Sequence, residues 1–216
     1  MISSVSQQHL KVIYSLSEWS NSPVSISVLA SNLGVANSTV SESIKKLAER
    51  GLVNHEPYKG ITLTDSGLQE ALKAVRAHRL LETFLYKTLK YPVEEIHDET
   101  QALQLNVTDR FLDKIEEFLG FPEVDPHGDP IPNREGVVKE ITGRLLSDLH
   151  PGDTGKIVRI SDANSALLCY LEKLGVVIGT ELEILERHDF AGITKVKVSE
   201  EVIDLASPSL NSILVQ

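Results

Sequence analysis

Residues 25–63 contain the sequence features that constrain the fold of this chain most strongly. Ser25 can cap a short helix that ends at Gly34, a residue suited to the sharp turn that follows. Asn37 can then cap a longer helix, and two helices joined by a tight glycine turn are typical of a helix-turn-helix. Two short β-prone runs around a turn-rich segment follow directly over 52–63, as in a hairpin. The segment therefore predicts a winged helix-turn-helix.

The remainder of the chain falls into a helical part and a β-rich part. Amphipathic patterns after Thr64 predict further helices, which end at a proline-rich loop over 122–136. From Gly152 onwards the chain has short β-branched runs with a single helix between them, which is typical of a small β-barrel-like domain. We therefore predict a mainly α protein with a small β domain, divided into a winged helix-turn-helix DNA-binding domain over 1–65, a helical domain over 66–140 and a β domain over 150–216.

The charge of the chain is unevenly distributed. A net charge of −10 by itself argues against a nucleic-acid partner, because contacts with phosphates need Lys and Arg. Residues 1–60, however, contain five basic and four acidic side chains, so the acidic excess lies after them. The N-terminal segment is therefore the part of the chain that is suited to DNA.

The expected cellular compartment follows from the lack of a membrane-spanning segment and of a signal peptide in the sequence. No apolar run approaches the roughly 18 residues that cross a bilayer, and the N-terminus has no basic segment followed by an apolar one. The only cysteine, Cys169, cannot form a disulfide within the chain, which agrees with a reducing compartment. We expect a cytoplasmic protein with no membrane partner.

The second helix of the predicted helix-turn-helix has a polar face that fits the major groove of DNA. Small hydroxylic side chains there allow close approach to the bases, and lysines can contact phosphates. Lys59 at the tip of the predicted wing adds a further positive charge. The candidate DNA-binding residues are Asn37, Ser38, Thr39, Ser41, Ser43, Lys45, Lys46 and Lys59. The alternative is a helix-turn-helix that contacts protein, as in an interaction module.

A histidine and a glutamate lie on the inward face of the long helix that follows the wing. His78 and Glu82 are four residues apart and point the same way, a spacing suited to sharing one divalent ion. His97 on the next predicted helix offers a third ligand, and nitrogen and oxygen donors together suit Mn, Fe or Zn. The alternative is a His–Glu hydrogen bond without metal. The other histidines, among them His9 and His127, are expected at the surface or in loops.

Several strings of residues, taken with the order of the elements, resemble the diphtheria-toxin repressor family, in particular its manganese-responsive branch with a third, SH3-like domain. The resemblance covers nearly the whole chain. The strings are Thr39-Val40-Ser41-Glu42-Ser43-Ile44, Leu63-Thr64-Asp65-Ser66-Gly67, His78-Arg79-Leu80-Leu81-Glu82, His97-Asp98-Glu99 and Asp125-Pro126-His127-Gly128-Asp129-Pro130-Ile131-Pro132. The tail, with Leu174-Gly175-Val176-Val177-Ile178-Gly179, is similar to the SH3-like (FeoA-like) domain of the family.

The resemblance implies a homodimer that binds double-stranded promoter DNA and represses metal-homeostasis genes when its metal is plentiful. It assigns 66–140 to dimerisation and metal binding. One metal site of the family matches His78, Glu82 and His97, and the third domain can add an oxygen ligand, for which Asp162 or Asn164 is the candidate. The implied metal is Mn(II), with Fe(II) and Zn(II) as alternatives.

The second metal site of the family, which usually switches DNA affinity, is degraded in this chain. Its ligands are replaced by neutral or basic residues at the matching positions, which are Gln8, Lys11, Gln101, Gln104 and Leu105. Neutral amides are poor ligands for a transition metal, but glutamines can hydrogen-bond to each other without one, and Lys11 can supply a positive charge.

Two hypotheses for regulation follow from this departure. Either the site at His78, Glu82 and His97 alone controls DNA binding, or the chain binds DNA without metal control. A small metallohydrolase is the rival outside the class. The chain has no His-Glu-x-x-His zinc motif and no nucleophile–base string beside its histidines, so we do not expect an enzyme.

Overall fold

Three helices and a hairpin make up the N-terminal part of the computed structural model, which describes residues 2–20, 22–56, 59–104 and 106–216. The elements are α1 (Ser4–Ser20), α2 (Ile26–Leu33), α3 (Asn37–Glu49), β1 (Val53–Glu56) and β2 (Gly60–Leu63). The side chain of Ser25 caps α2 by accepting from the Val28 amide at 3.2 Å, and Gly34 ends it with a φ of 65°. Asn37 was predicted to cap α3, and this prediction was wrong. It is the first helical residue, and Ala36, with an extended backbone, holds the capping position without a side-chain bond.

The predicted winged helix-turn-helix is confirmed. The apolar faces of α1, α2 and α3 meet in one core, in which Leu10 and Ile13 of α1 and Ile44 of α3 are fully buried. The two strands of the wing pair antiparallel, and Val24 forms a further antiparallel bridge with Ile61. The wing is thereby fixed to the chain segment that precedes α2.

Three more helices follow, namely α4 (Asp65–Lys87), α5 (Val93–Gln104) and α6 (Asp109–Phe118). The hydroxyl of Thr64 caps α4 by accepting from the Gly67 amide at 3.0 Å, and Thr108 caps α6 by accepting from Phe111 at 3.3 Å. The buried stripe along α4 includes His78 and Glu82. A polar pair at buried positions requires partners, which makes this stripe the part of the helix most suited to a ligand.

The C-terminal part is a six-stranded antiparallel sheet with the strand order β3-β8-β4-β5-β6-β7. The strands are β3 (Arg144–Leu145), β4 (Thr154–Ile160), β5 (Glu181–His188), β6 (Ile193–Val198), β7 (Glu201–Ala206) and β8 (Ile213–Val215), with α7 (Ser165–Lys173) and α8 (Ser207–Leu210) between them. Leu146, Ile184, Val196 and Ile213 are fully buried in its core. The predicted fold class, mainly helical with a small β domain, is confirmed.

The chain divides into two compact units. The first comprises residues 1–78, 104–107 and 132–137, and the second comprises 79–103, 108–131 and 138–216. The boundary passes through α4, which is one continuous helix on both sides of it.

Candidate functional site

His78, Glu82 and His97 form a compact group of metal-ligating side chains. Each offers one ligand atom, and the three atoms lie within 4.8 Å of one another. His78 and Glu82 are one helical turn apart on α4 and are buried, whereas His97 on α5 is half-buried. Two imidazoles and a carboxylate at this spacing can hold one divalent transition metal, and most water is already excluded from two of the donors.

Carboxylates of the second unit concentrate negative charge near Glu82. Asp125 is buried, and its pKa is raised well above the usual value, first by burial and then by the charges of Asp129, Glu82 and Asp162, while the cation Arg79 lowers it. Asp162, the predicted oxygen ligand, is half-buried. Asn164, the other candidate, caps α7 through a bond from the Leu167 amide at 3.1 Å. This cap already uses the side-chain oxygen of Asn164.

The loop that carries Asp125 is fixed by buried ion pairs within the second unit. Arg79 donates from Nη1 to the main-chain oxygen of Pro130 at 2.7 Å, and Arg159 forms a short salt bridge with Asp129. Asp125 Oδ1 accepts from the amides of His127 and Asp129 at 2.8 and 2.9 Å. These contacts tie the loop to α4 and β4 within the second unit.

His9, expected at the surface or in a loop, is instead buried in a helix, whereas His127 lies in a loop, which is one of the two expected locations, but is buried there. His127 lies in the proline-rich loop just described, and Ile160 donates to its main-chain oxygen at 2.8 Å. His9 lies on α1, where Nδ1 is 2.6 Å from the main-chain oxygen of Val5. In the sequence, this loop is marked by two carboxylates among turn-forming residues. These residues entered the sequence analysis only as one of the strings that resemble the family.

The glutamines at the predicted second metal site bond to different partners. Gln104 Oε1 is 3.0 Å from His78 Nδ1, and Gln104 Nε2 donates to Gln8 Oε1 at 3.2 Å. Gln101 is exposed, and its Nε2 lies 2.6 Å from His97 Nε2. Lys11 is buried on α1. Leu105 lies outside the described residues.

The polar face of α3 is open to solvent, as a DNA-reading helix requires. Asn37, Ser38, Thr39, Ser41, Lys45 and Lys46 are exposed, as is Lys59 after the wing strand, and Ser43 is half-buried. Val40, Ile44 and Leu47 on the opposite face anchor the helix in the core. Sequence reasoning missed the part played by Glu42, whose Oε1 lies 2.7 Å from Lys46 Nζ. This exposed pair lowers the pKa of Glu42 and raises the pKa of Lys46.

Three family models match the chain in sequence. They are the iron dependent repressor N-terminal DNA binding domain over residues 1–61, the iron dependent repressor metal binding and dimerisation domain over 64–133, and the FeoA domain over 144–216. The last agrees with the predicted SH3-like domain.

Similar proteins support the same assignment. A manganese-dependent transcriptional repressor solved in complex with manganese is 46% identical, with a TM-score of 0.92 over 97% of this chain and 98% of that one. The structure of ScaR with bound Cd2+ is 30% identical, with a TM-score of 0.85 over 98% of each chain. The diphtheria toxin repressor of Corynebacterium glutamicum is 28% identical over 209 residues, which cover 92% of this chain and 91% of the relative.

A winged helix-turn-helix joined to a cluster of metal-ligating residues, two of them buried, defines a metal-linked DNA-binding regulator. The chain belongs to the iron-dependent repressor family of metal-dependent transcriptional repressors. The repressors of this family are DNA-binding regulators and not enzymes, and this protein is one of them. Among the helices of the described residues, none has the length and apolar character needed to span a membrane.

Proposed function

We propose that this repressor binds promoter DNA as a homodimer and that a divalent transition metal, held by His78, Glu82, His97 and Asp162, controls its affinity for DNA. The observation that carries the proposal is the set of ligand atoms from His78, Glu82 and His97 within 4.8 Å of one another. A bound cation would neutralise the Glu82 carboxylate, which is almost fully buried at 1% exposure. The regulated genes are then those of metal homeostasis, which a metal-responsive repressor would switch off when its metal is plentiful.

The donor set favours a transition metal over Ca or Mg, because imidazole nitrogens suit Mn, Fe and Zn. We assign Mn(II) first, since the similar repressor of known structure is described as manganese-dependent. Fe(II) and Zn(II) are the alternatives. Asp162 is not part of the group of ligand atoms within 4.8 Å of one another, and it enters the proposal as a fourth ligand only through the resemblance to the family.

DNA recognition is assigned to the polar face of α3, with Lys59 of the wing contacting phosphate. The proposed DNA-binding residues are Asn37, Ser38, Thr39, Ser41, Ser43, Lys45, Lys46 and Lys59, which are exposed apart from the half-buried Ser43.

We propose the domain division predicted from the sequence, 1–65, 66–140 and 150–216. A promoter-binding repressor works where the DNA is, which assigns this protein to the cytoplasm.

Exposed aromatic side chains on and after α6 support the homodimer. Phe111 and Phe118 are seven residues apart, hence on one face of the helix, and are 49% and 68% exposed, and Phe121 just after the helix is 66% exposed. Large apolar side chains grouped at a surface are typical of a protein interface. A dimer would also present two recognition helices to the two half-sites of an operator.

A second candidate function is DNA binding without metal control. The hydrogen bond of 3.2 Å between Gln8 and Gln104 favours it, because it joins α1 to α5 at the predicted second metal site without an ion. In that case the metal-free protein already holds its DNA-binding helices in place.

The two candidates differ in one measurable quantity, the affinity of metal-free protein for its own upstream promoter fragment. Fluorescence anisotropy should be measured with chelator-stripped protein and again with Mn(II), Fe(II) or Zn(II). We expect metal to increase the affinity of the native chain at least about fivefold, a typical lower bound for allosteric coupling. Glu82→Gln should abolish the increase, whereas Asp98→Asn, at an exposed position of α5, should preserve it. Equal affinity with and without metal would support the second candidate instead.

A further inference from the structure

Three side chains of the first compact unit are joined end to end by two hydrogen bonds. His78 on α4 bonds through Nδ1 to Gln104 Oε1 at 3.0 Å, and Gln104 Nε2 donates to Gln8 Oε1 on α1 at 3.2 Å. His78 is buried, and both glutamines are half-buried. We name this His78–Gln104–Gln8 series the amide bridge.

The amide bridge determines which ring nitrogen of His78 carries the proton. The nitrogen of Gln104 is occupied by Gln8, so its oxygen faces His78 and can only accept a hydrogen bond. His78 therefore donates from Nδ1, and in the neutral ring the lone pair lies on Nε2. A neutral imidazole with one nitrogen held by a carbonyl oxygen and the other carrying its lone pair is the form that binds a metal.

At its other end the amide bridge reaches the DNA-binding domain. Gln8 lies on α1, next to the positions where Leu10 and Ile13 are buried in the same core as Ile44 of α3. A displacement of α1 is therefore transmitted to the recognition helix through side chains that are packed without room to move independently.

We infer that Gln104 is a positioning residue for the metal ligand His78, and that Gln8 couples the metal site to α1 without a second ion. This inference rests on the proposed function, in that His78 is taken as a ligand of the controlling metal. It assigns to two neutral side chains the connection that a cation would otherwise provide. Because the amide bridge needs no metal, it is already formed in the metal-free protein, and metal capture by His78 strengthens an existing contact.

Substitutions by methionine, which matches the length of glutamine and forms no comparable hydrogen bonds, separate the two parts of the inference. Zn(II) affinity is measured by competition with a chromophoric chelator, and promoter affinity is measured by anisotropy with and without Zn(II). Gln104→Met should weaken Zn(II) binding about tenfold or more, the usual effect of removing a residue that orients a ligand. Gln8→Met should leave Zn(II) affinity within about threefold of native and reduce the gain in promoter affinity by at least half.

The neighbouring glutamine on α1 provides the matched control. Gln7 takes no part in the amide bridge, so Gln7→Met should change neither Zn(II) affinity nor the gain in promoter affinity. Circular dichroism and thermal unfolding establish that each variant is folded. The nitrogen-15 spectrum of Zn(II)-loaded protein provides a readout that a merely structural role would not change. The His78 Nδ1–H signal should be present in the native chain and shifted or exchange-broadened in Gln104→Met.

Folded Gln104→Met with native Zn(II) affinity and an unchanged His78 signal would overturn the assignment of Gln104. A Gln8→Met variant with the full gain in promoter affinity would overturn the coupling through α1. The proposed function fails in a different way, namely when the native chain binds Zn(II) without any gain in promoter affinity. In that case the coupling through Gln8 fails with it, whereas a loss of Zn(II) affinity in Gln104→Met would still support the positioning of His78.

Discussion

Gly67, in the first turn of α4, lies directly against the main-chain carbonyl group of Leu52, and a Cβ atom at this position would overlap with that oxygen. The close approach brings the start of α4 against the turn that ends the recognition helix. Thr64 strengthens the same junction, because its hydroxyl donates to the main-chain oxygen of Gly51 at 2.7 Å. The Leu63-Thr64-Asp65-Ser66-Gly67 string therefore fixes how the chain enters α4.

We expect Gly67→Ala to destabilise the protein by about 1–3 kcal/mol, because a methyl group inserted into a tightly packed site forces the backbone to shift. Urea unfolding followed by circular dichroism measures the loss. Ser66→Ala is the matched control, since Ser66 is exposed one residue earlier in the same helical turn, and its free energy of unfolding should stay close to the native value. Equal stability of the Gly67 variant would show that the junction is loose.

The second prediction concerns pH and the buried carboxyl group of Asp125. Its pKa is raised, chiefly by burial and then by the neighbouring charges of Asp129 and Glu82. A carboxyl group with a raised pKa binds more protons in the folded than in the unfolded protein. The stability of metal-free protein should therefore fall as pH rises from about 4 through the folded-state pKa.

Asp125→Asn should remove this dependence, because an amide retains the oxygen that accepts from the His127 and Asp129 amides and carries no charge. Thermal unfolding of chelator-treated protein between pH 4 and 8 is the measurement. Relative to the native chain, the variant should gain stability as pH increases. Asp189→Asn, at an exposed position of a short 3-10 helix, should follow the native curve. A native profile that is flat, or that rises with pH over this range, would contradict the expected sign.

The third prediction uses the pair formed by Glu42 and Lys46 on the polar face of α3. The two side chains are 2.7 Å apart and about 70% exposed. Since Glu42 partly neutralises a lysine proposed to contact phosphate, Glu42→Gln should increase promoter affinity severalfold and make the affinity fall more steeply with salt. Glu117→Gln, in the comparable exposed pair with Lys114 on α6, is the control and should have no such effect. A decrease in affinity for Glu42→Gln would show that the carboxylate itself reads the operator.

The sequence was informative where a regular period or a local cap determines the structure. The period of 3.6 residues placed His78 and Glu82 on one buried stripe, and Ser25 is a cap as predicted. It was less informative where contacts between distant segments decide. His127 is buried because Asp125 and the end of β4 hold its main chain, and neither contact leaves a periodic signal.

The glutamines of α5 illustrate the same limit. Helical spacing places Gln101 and Gln104 on the same face of α5 as His97, since Gln101 follows His97 by four residues and Gln104 follows Gln101 by three. In the structure Gln101 bonds to His97, whereas Gln104 bonds to His78 and Gln8. Helical spacing determines the face of a side chain, but its hydrogen-bond partner depends on which polar groups the neighbouring helices bring within reach.

The last prediction is that the amide bridge can be converted into a metal site. Gln8 and Gln104 approach to 3.2 Å, so Gln8→Glu combined with Gln104→Glu would place two carboxylates together, while His78 keeps its Nε2 lone pair for the first metal. In metal-free protein the two like charges should repel and lower the melting temperature, because a shared site cannot easily hold both ionised. An additional Mn(II) ion per chain, measured by equilibrium dialysis and elemental analysis, should restore stability. Each single variant keeps one amide and should bind no additional ion. Unchanged metal stoichiometry in a folded double variant would show that the geometry of the amide bridge does not suit a cation.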